Sequence, residues 1–363
     1  MSTIAVNAIT DANDGNTTTI NGVTPNSANV VGKNLIINGA MQIAQRGTSF
    51  TGLTDDAYTL DRWQFAVFGS SGHGTYSISQ ENSVTPDGFG NSIKIDCTTA
   101  DTSLASDVAV ILRQRLEGQN LQLFQYATSN AKDVTLSFWV RSNLTGTGVV
   151  NLYNVDANKH AGATYTINSS NTWERKTVTI AGDTSSGFDN NNGNSLEVRF
   201  YLAAGTNFSS GTQVNTWSSR TSANDATDLT LNIGSSSSNE IYITGVQLEV
   251  GESATEFEHR PYTTEVQLCE RYYRRTGVIR FLTMGRFNQS TGQVYDWWVL
   301  SPAMRAAPTA TTDGNFKATS GYTGELLVTT TDVKGIRLVS TRNASASQIL
   351  YANEGELFID AEL

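Results

Sequence analysis

The chain has 363 residues, more than one hydrophobic core usually supports, so two or more domains are expected. Charged residues make up only 16% of it and the net charge is −10, which excludes a surface built to neutralise nucleic-acid phosphates or to lie on anionic lipid. No stretch approaches the roughly 18 apolar residues of a membrane span. The opening Met1, Ser2, Thr3, Ile4 lacks the basic start and apolar run of a secretion signal, so synthesis in a cytoplasm without membrane insertion is expected.

Residues 1–33 are polar, with short apolar alternations (Ile4, Val6; Ile20, Val23) around the turn signals Asp14-Gly15 and Asn21-Gly22. They read as small β hairpins that bury too little to stand alone, and so as a segment that orders by packing on sister chains or an anchoring partner. Residues 34–262 carry alternating apolar strands separated by Gly/Ser/Asn loops, the pattern of a sandwich or jelly roll. Strands are predicted at 134–141, 196–202, 229–233 and 241–243, and long polar surface loops at 182–194 and 203–227. Trp63 and Trp173 are expected in core packing. Residues 264–273 form the one good helix candidate, Thr264 and Gln267 having capping-box spacing. Residues 263–363 are then a helix followed by a smaller β domain, with strands near 277–282, 294–300, 326–328, 335–339, 348–351 and 356–361. The whole is all-β apart from that helix.

Catalytic and cofactor chemistry find no motif. His73, His160 and His259 are scattered without a second ligand at metal spacing, and no phosphate loop, nucleophile elbow or dinucleotide fingerprint occurs. Asp55 and Asp56 could form a glycosidase pair but read as a surface turn. No cofactor, metal or enzymatic activity is expected. Cys97 and Cys269 are expected as buried thiols.

Strand faces are more informative. Along 134–141, Val134, Leu136, Phe138 and Val140 share one face, and Trp139 and Arg141 share the polar one with Thr135 and Ser137. Along 196–202, Arg199 and Tyr201 oppose the aliphatic set, and Asn151 and Tyr153 repeat the design. Aromatics flanked by Arg, Asn and hydroxyls suit a sugar ring, whose C–H groups stack while its hydroxyls take hydrogen bonds. Cover by a loop or a neighbouring subunit is the more ordinary reading of such aromatics, since exposed Trp is usually interface, with glycan contact as the other. Trp139, Arg141, Tyr153, Arg199, Tyr201 and Trp217 are therefore the glycan-contact candidates. Trp297 and Trp298, side by side on a strand, must face opposite ways. With Tyr272 and Tyr273 they are the candidates for an oligomer interface. Arg260, Arg271, Arg274, Arg275, Arg280 and Arg286 form the one basic concentration and lie among Glu258, Glu265 and Glu270, so ion pairs are expected there, with an anionic glycan as the other reading.

Asn34, Leu35, Ile36, Ile37, Asn38, Gly39, Ala40, Met41, Gln42 through Gly47, followed by Asp61, Arg62 and Trp63, resemble the opening of a domain common in bacteriophage tail-fibre and other virion appendage proteins. Residues 241–251, 254–262 and 269–273 resemble its closing signature, and 304–309 and 358–363 look like the same proteins. The domain is in turn similar to jelly-roll carbohydrate-binding modules. Those modules hold a structural calcium through carboxylates near positions where this chain has Gln42 and Thr244, so the resemblance implies that calcium is dispensable here. It also implies a virion fibre protein, a homotrimer bound to other tail or virion proteins through residues 1–33, that recognises a host surface polysaccharide or lipopolysaccharide. The alternatives are a purely structural adaptor, collar or head-decorating fibre, and a polysaccharide depolymerase.

Overall fold

The computed structural model describes residues 32–69, 71–277, 282–283, 286–288, 293–313, 322–342, 350–351 and 356–363. The hairpins expected before residue 32, and most of the strand expected at 277–282, lie outside the described residues.

Alternation of apolar and polar residues builds thirteen strands before the main helix. They are β1 (Ser49–Leu53), β2 (Ala57–Tyr58), β3 (Gln64–Phe68), β4 (Thr75–Glu81), β5 (Ser92–Thr99), β6 (Ala109–Glu117), β7 (Val134–Ser142), β8 (Gly146–Asn154), β9 (Lys159–Ile167), β10 (Glu174–Ile180), β11 (Asn194–Ala204), β12 (Ser218–Ser219) and β13 (Glu240–Val250). Sheet I has the order β1-β4-β5-β13-β7-β10 and sheet II the order β12-β9-β8-β11-β6-β3-β2. The chain passes from sheet I to sheet II between β1 and β2, β5 and β6, β7 and β8, β10 and β11, and back between β3 and β4, β6 and β7, β9 and β10, β12 and β13, which is the winding of a jelly roll. The facing surfaces enclose one core, in which Phe138 meets Phe200 and Tyr165 edge-on at 5.0 Å. Trp63 is fully buried there, as expected, and both cysteines are buried and free.

Three local readings differ from expectation. Residues 229–233 alternate like a strand but stay unpaired in sheet terms. Leu231 and Ile233 fill the core while Thr230 N and Leu231 N both donate to Thr147 O, so alternation here records burial without a ladder. Trp173, expected in the core, is half-buried and sits edge-on to Tyr242 at 6.2 Å. The main helix runs Tyr262–Glu270, starting earlier than the Thr264 capping box predicts. Pro261 occupies the cap with φ −54°, its carbonyl accepts from Thr264 N and Glu265 N, and no side chain caps the end.

With a four-residue turn at Thr206–Ser209 as α1, this helix is α2. After it come β14 (Tyr273–Arg275), β15 (Leu282–Thr283), β16 (Arg286–Asn288), β17 (Gln293–Val299), β18 (Thr309–Thr312), β19 (Tyr322–Asp332), β20 (Gly335–Arg342), β21 (Leu350–Tyr351) and β22 (Leu357–Asp360). They form sheets β14-β22-β18, β15-β21 and β16-β17-β20-β19, and Leu300 and Met304, with Ile336 and Leu338 of β20 and Leu357 and Ile359 of β22, make a small second core. The fold is all-β, a jelly-roll sandwich with a smaller β region.

The two sequence signatures meet in space and are structural. Asn34 Oδ1 accepts from Ile36 N and Leu248 N at 3.0 and 3.1 Å, joining the opening to the closing strand. Asn38, held at φ 58°, exchanges hydrogen bonds with Ile43, and its carbonyl accepts from Trp63 Nε1. A Cβ on Gly39 would fall 2.1 Å from Val246 O, so only glycine lets these two chain segments touch.

Candidate binding face on sheet I

Alternation gives a residue's face but not its sheet, and the six glycan-contact candidates fall in three places. Trp139 and Arg141 lie on the outer face of sheet I, Tyr153, Arg199 and Tyr201 on the outer face of sheet II, and Trp217 in a loop, edge-on to Tyr126 at 5.7 Å.

On sheet II the charged residues pair with one another. Glu197, 4% exposed, takes Arg199 Nε at 2.8 Å, Arg115 Nε at 3.2 Å and Arg113 Nη1 at 3.4 Å. Burial pushes its carboxyl up, but the guanidiniums of Arg199, Arg113 and Arg115 outweigh burial and hold the pKa at about 2. Arg113 also reaches Asp56 at 3.1 Å, which gives that residue of the Asp55–Asp56 pair a structural partner. Tyr153 lies under Arg199 and Arg220, at 4.3 and 5.1 Å from its ring. Tyr201 packs with Ile111, Val149 and Ala226 beneath the segment 205–229. Beside it His160 Nδ1 lies 2.8 Å from Asp225, both fully buried, and Arg220 holds the same carboxylate. Arg199 and Tyr201 are therefore sealed by their own chain rather than presented to a ligand, because the loop the sequence marks as polar folds flat over them. No signal in the strand pattern encodes that.

Sheet I presents a different surface. Tyr242 stands opposite Arg141 and Thr244 opposite Trp139, so Tyr242 and Trp139 are diagonal neighbours on one face. Trp173 packs edge-on against Tyr242. On the far side of Trp139 come Phe89, Phe257 and His259, in mutual contact at 4.9–5.2 Å. Trp173, Trp139, Phe89 and Phe257 are half-buried and His259 is exposed, while Tyr242 between Trp173 and Trp139 is only 4% exposed, so the row of rings presents two open stretches flanking a buried tyrosine on an otherwise polar surface.

The sequence builds this row with a bulge. Ile241 and Ile243 point into the core, as do Val246 and Leu248, so the inward parity changes between them. The register with β7 shifts there, between Thr244 and Gln247, and Gly245 takes φ +60°. A Cβ on Gly245 would lie 2.7 Å from Phe89 and 3.0 Å from Trp139, so its absence lets the two rings close over the strand. The segment after β13 is then stitched back across the sheet. Glu249 accepts from Thr255 N at 2.9 Å and from its hydroxyl at 2.7 Å, and Gln247 Oε1 accepts from Glu258 N at 2.8 Å. These bonds place Phe257 and His259 beside Phe89.

Polar groups line the row. Glu240 takes Lys94 at 3.0 Å, Arg141 at 3.5 Å and the Tyr242 hydroxyl at 3.0 Å. Arg141 and Lys94 stand 4.9 and 5.5 Å from the Tyr242 ring centre. Arg175 lies opposite Trp139 across the β7–β10 pair. Thr244, at one of the calcium-related positions, donates to Asn91 O at 2.7 Å. Among the described residues no group of three or more His, Cys, Asp and Glu is placed to hold a metal ion. Sequence reasoning missed Tyr242, which alternates with Ile241 and Ile243 and so was readable, and Phe89 and Phe257, whose loops carry no period.

The oligomer-interface candidates also separate. Tyr272 is 1% and Tyr273 7% exposed; Arg62 stacks on the first ring at 3.4 Å and Arg46 on the second at 3.6 Å, so both rings are occupied within the chain. Trp298 packs on the C-terminal core and Trp297, on the opposite side of β17, is 45% exposed. Of the basic cluster, Arg271 pairs with Glu117, Arg274 with Glu270, Arg275 with Glu356 and Arg260 with Glu265. The side chains of Arg280 and Arg286 lie outside the described residues.

No protein-family model and no curated protein matches the chain. Among solved structures it is similar to the enzymatically active domain of bacteriophage CBA120 tailspike protein 4, with 12% identity and a TM-score of 0.33 over 60% of this chain and 22% of that one. It is also similar to TmCBM61, solved with β-1,4-galactotriose, at 8% identity, TM-score 0.30, over 60% and 99% of the two chains. A third is the family 11 carbohydrate-binding module of a Clostridium thermocellum cellulosomal cellulase, at 12% identity, TM-score 0.27, over 57% and 98%. Similarity of this size carries no argument about ligand or activity.

Proposed function

We propose that the chain is a fibre component of a bacteriophage particle that holds a host cell-surface glycan, polysaccharide or lipopolysaccharide, on the outer face of sheet I and performs no catalysis. One observation carries this reading: Trp173, Trp139, Phe89, Phe257 and His259, arranged around the buried Tyr242, leave ring surface open on a face whose neighbours are Arg, Lys, Thr and Glu. Flat rings take the C–H faces of successive sugars, and the polar neighbours take hydroxyls. The resemblance of residues 34–47 and 241–262 to virion appendages supplies the setting. In that setting residues 1–33 attach the chain to other virion proteins, and a homotrimer multiplies weak single-site contacts by avidity.

An array of bacterial surface polysaccharides and lipopolysaccharides, probed with the full-length chain, tests the reading. Binding to at least one glycan without release of new reducing ends is expected. Binding to none contradicts the glycan reading and leaves the row as a contact between virion subunits; release of reducing ends makes the protein a depolymerase. Light scattering at micromolar concentration is expected to give three times the chain mass, and the mass of one chain would contradict the trimer.

A further inference from the structure

At the end of the sandwich, the loop from β6 to β7 and the loop from β10 to β11 run side by side and leave a groove of about 490 Å³ between them. That volume falls within the roughly 300–1,000 Å³ of small-ligand clefts. Its apolar part is Leu121, Ala127 and the pair Phe188 and Tyr126, stacked at 5.3 Å and 24°, of which Phe188 is half-buried and Tyr126 8% exposed, so Phe188 offers most of the ring surface. Phe124 and Trp217 brace this pair edge-on, Phe124 against Phe188 at 5.9 Å and Trp217 against Tyr126 at 5.7 Å. Its polar part is Gln122, Gln125, Thr128 and Asn130, and no charged residue lines it. The loop is fixed rather than slack: Ala127 N donates to Asp183 O at 2.9 Å and Lys132 N to Phe124 O at 2.8 Å.

We infer that this groove is a second saccharide site, separate from the row on sheet I, and that it takes a neutral sugar. An acidic sugar entering it would lose water from its carboxylate and find no cation in return. A neutral pyranose meets ring surface on one side and uncharged donors and acceptors on the other. Side-chain amides present both a carbonyl acceptor and an NH₂ donor, which matches hydroxyls that also do both. The inference does not depend on the row, because none of the residues lining the groove belongs to it.

The test is calorimetric titration of the full-length chain with a panel of neutral hexose, 6-deoxyhexose and N-acetylhexosamine oligosaccharides, beside their uronic-acid counterparts. At least one neutral member is expected to bind at millimolar concentration or below. Phe188→Ala is expected to weaken it by about tenfold, as for other aromatic anchors. Asn130→Ala, on an exposed side chain outside the ring stack, keeps the test decisive if Phe188→Ala unfolds and is expected to weaken binding severalfold. Uronic-acid members are expected to bind more weakly than their neutral counterparts. The inference is overturned if no neutral sugar binds, if acidic members bind tighter, or if neutral binding is unchanged in both variants.

Discussion

The two outer faces of the sandwich start from the same strand pattern, an aliphatic residue inward and an aromatic or arginine outward, and finish differently. On sheet II the arginines turn on Glu197 and a loop closes over Tyr201, so the face becomes a second, ionic and apolar, interior. On sheet I a bulge at Gly245 and a short segment stitched by Glu249 assemble half-open rings instead. An aromatic on a polar strand face is thus no evidence of a ligand until its cover is known. Arg199 is buried with its counter-ion and belongs to stability, whereas Trp139 is left open to solvent on one side and is available for contact.

The contrast breaks most visibly at Glu197. Replacing it with Ala leaves Arg199 buried without a carboxylate and Arg113 with Asp56 alone, and unfolding in denaturant is expected to show a loss of about 3–5 kcal/mol. A loss below about 1 kcal/mol would mean that sheet II's outer face is hydrated and not an interior. Acid sharpens the same point. The Glu197 carboxyl titrates at about 2 in the folded chain, below its ordinary range. A depressed folded value means that the unfolded chain takes up the proton first, so this stabilisation is complete at neutral pH and fades as pH falls through about 4.5 toward 2. Its full size is of order 3 kcal/mol. Asp225, held low by His160 and Arg220 against its burial, loses stability in the same direction. Unfolding midpoints measured from pH 7 to pH 3 should therefore fall, and in the Glu197→Ala chain they should fall less. On the other face, Gly245→Ala places a methyl group against Phe89 and Trp139 at positive φ, and a cost of about 2 kcal/mol is expected from overpacking and backbone strain together. Unaltered stability there would mean that the rings move aside freely and that the row is not a fixed surface.

Much of the fold was legible because burial imposes alternation. Strands β7, β11 and β13 fall where residues 134–141, 196–202 and 241–243 predict them, and the outward direction of Trp139, Arg141, Arg199 and Tyr201 follows from parity alone. Parity could not say that β7 and β11 belong to different sheets, which is what divides the candidate site. Nor could it foresee the cover of Tyr201, since 205–229 is polar in sequence and contributes only Phe208, Ala226 and Leu229 to the seal. Residues 229–233 alternate because two of them enter the core, without a partner strand. The helix begins two residues before the predicted 264–273 span because Pro261 both sets φ and offers its carbonyl, which a Thr264 capping box does not anticipate, and it ends three residues early, at Glu270, because Tyr273 already pairs in β14. Asn34, Asn38 and Gly39, the residues that carry the opening resemblance, turn out to tie the first segment to the last strand, so the motif reports fold more directly than function.

The central claim is that the open face binds and the sealed face does not, and one measurement addresses it directly: the affinity of the full-length chain for its best glycan on the array, compared between Trp139→Ala and Tyr153→Phe. Tyr153 is the aromatic on sheet II that stays half-buried, like Trp139, but its ring is taken by Arg199 and Arg220, and Tyr153→Phe removes only a hydroxyl that donates to Asn158 at 3.0 Å. Loss of about tenfold or more in affinity is expected for Trp139→Ala, with Tyr153→Phe unchanged within about twofold. Equal affinity of Trp139→Ala and the unaltered chain, with both folded, would contradict the account.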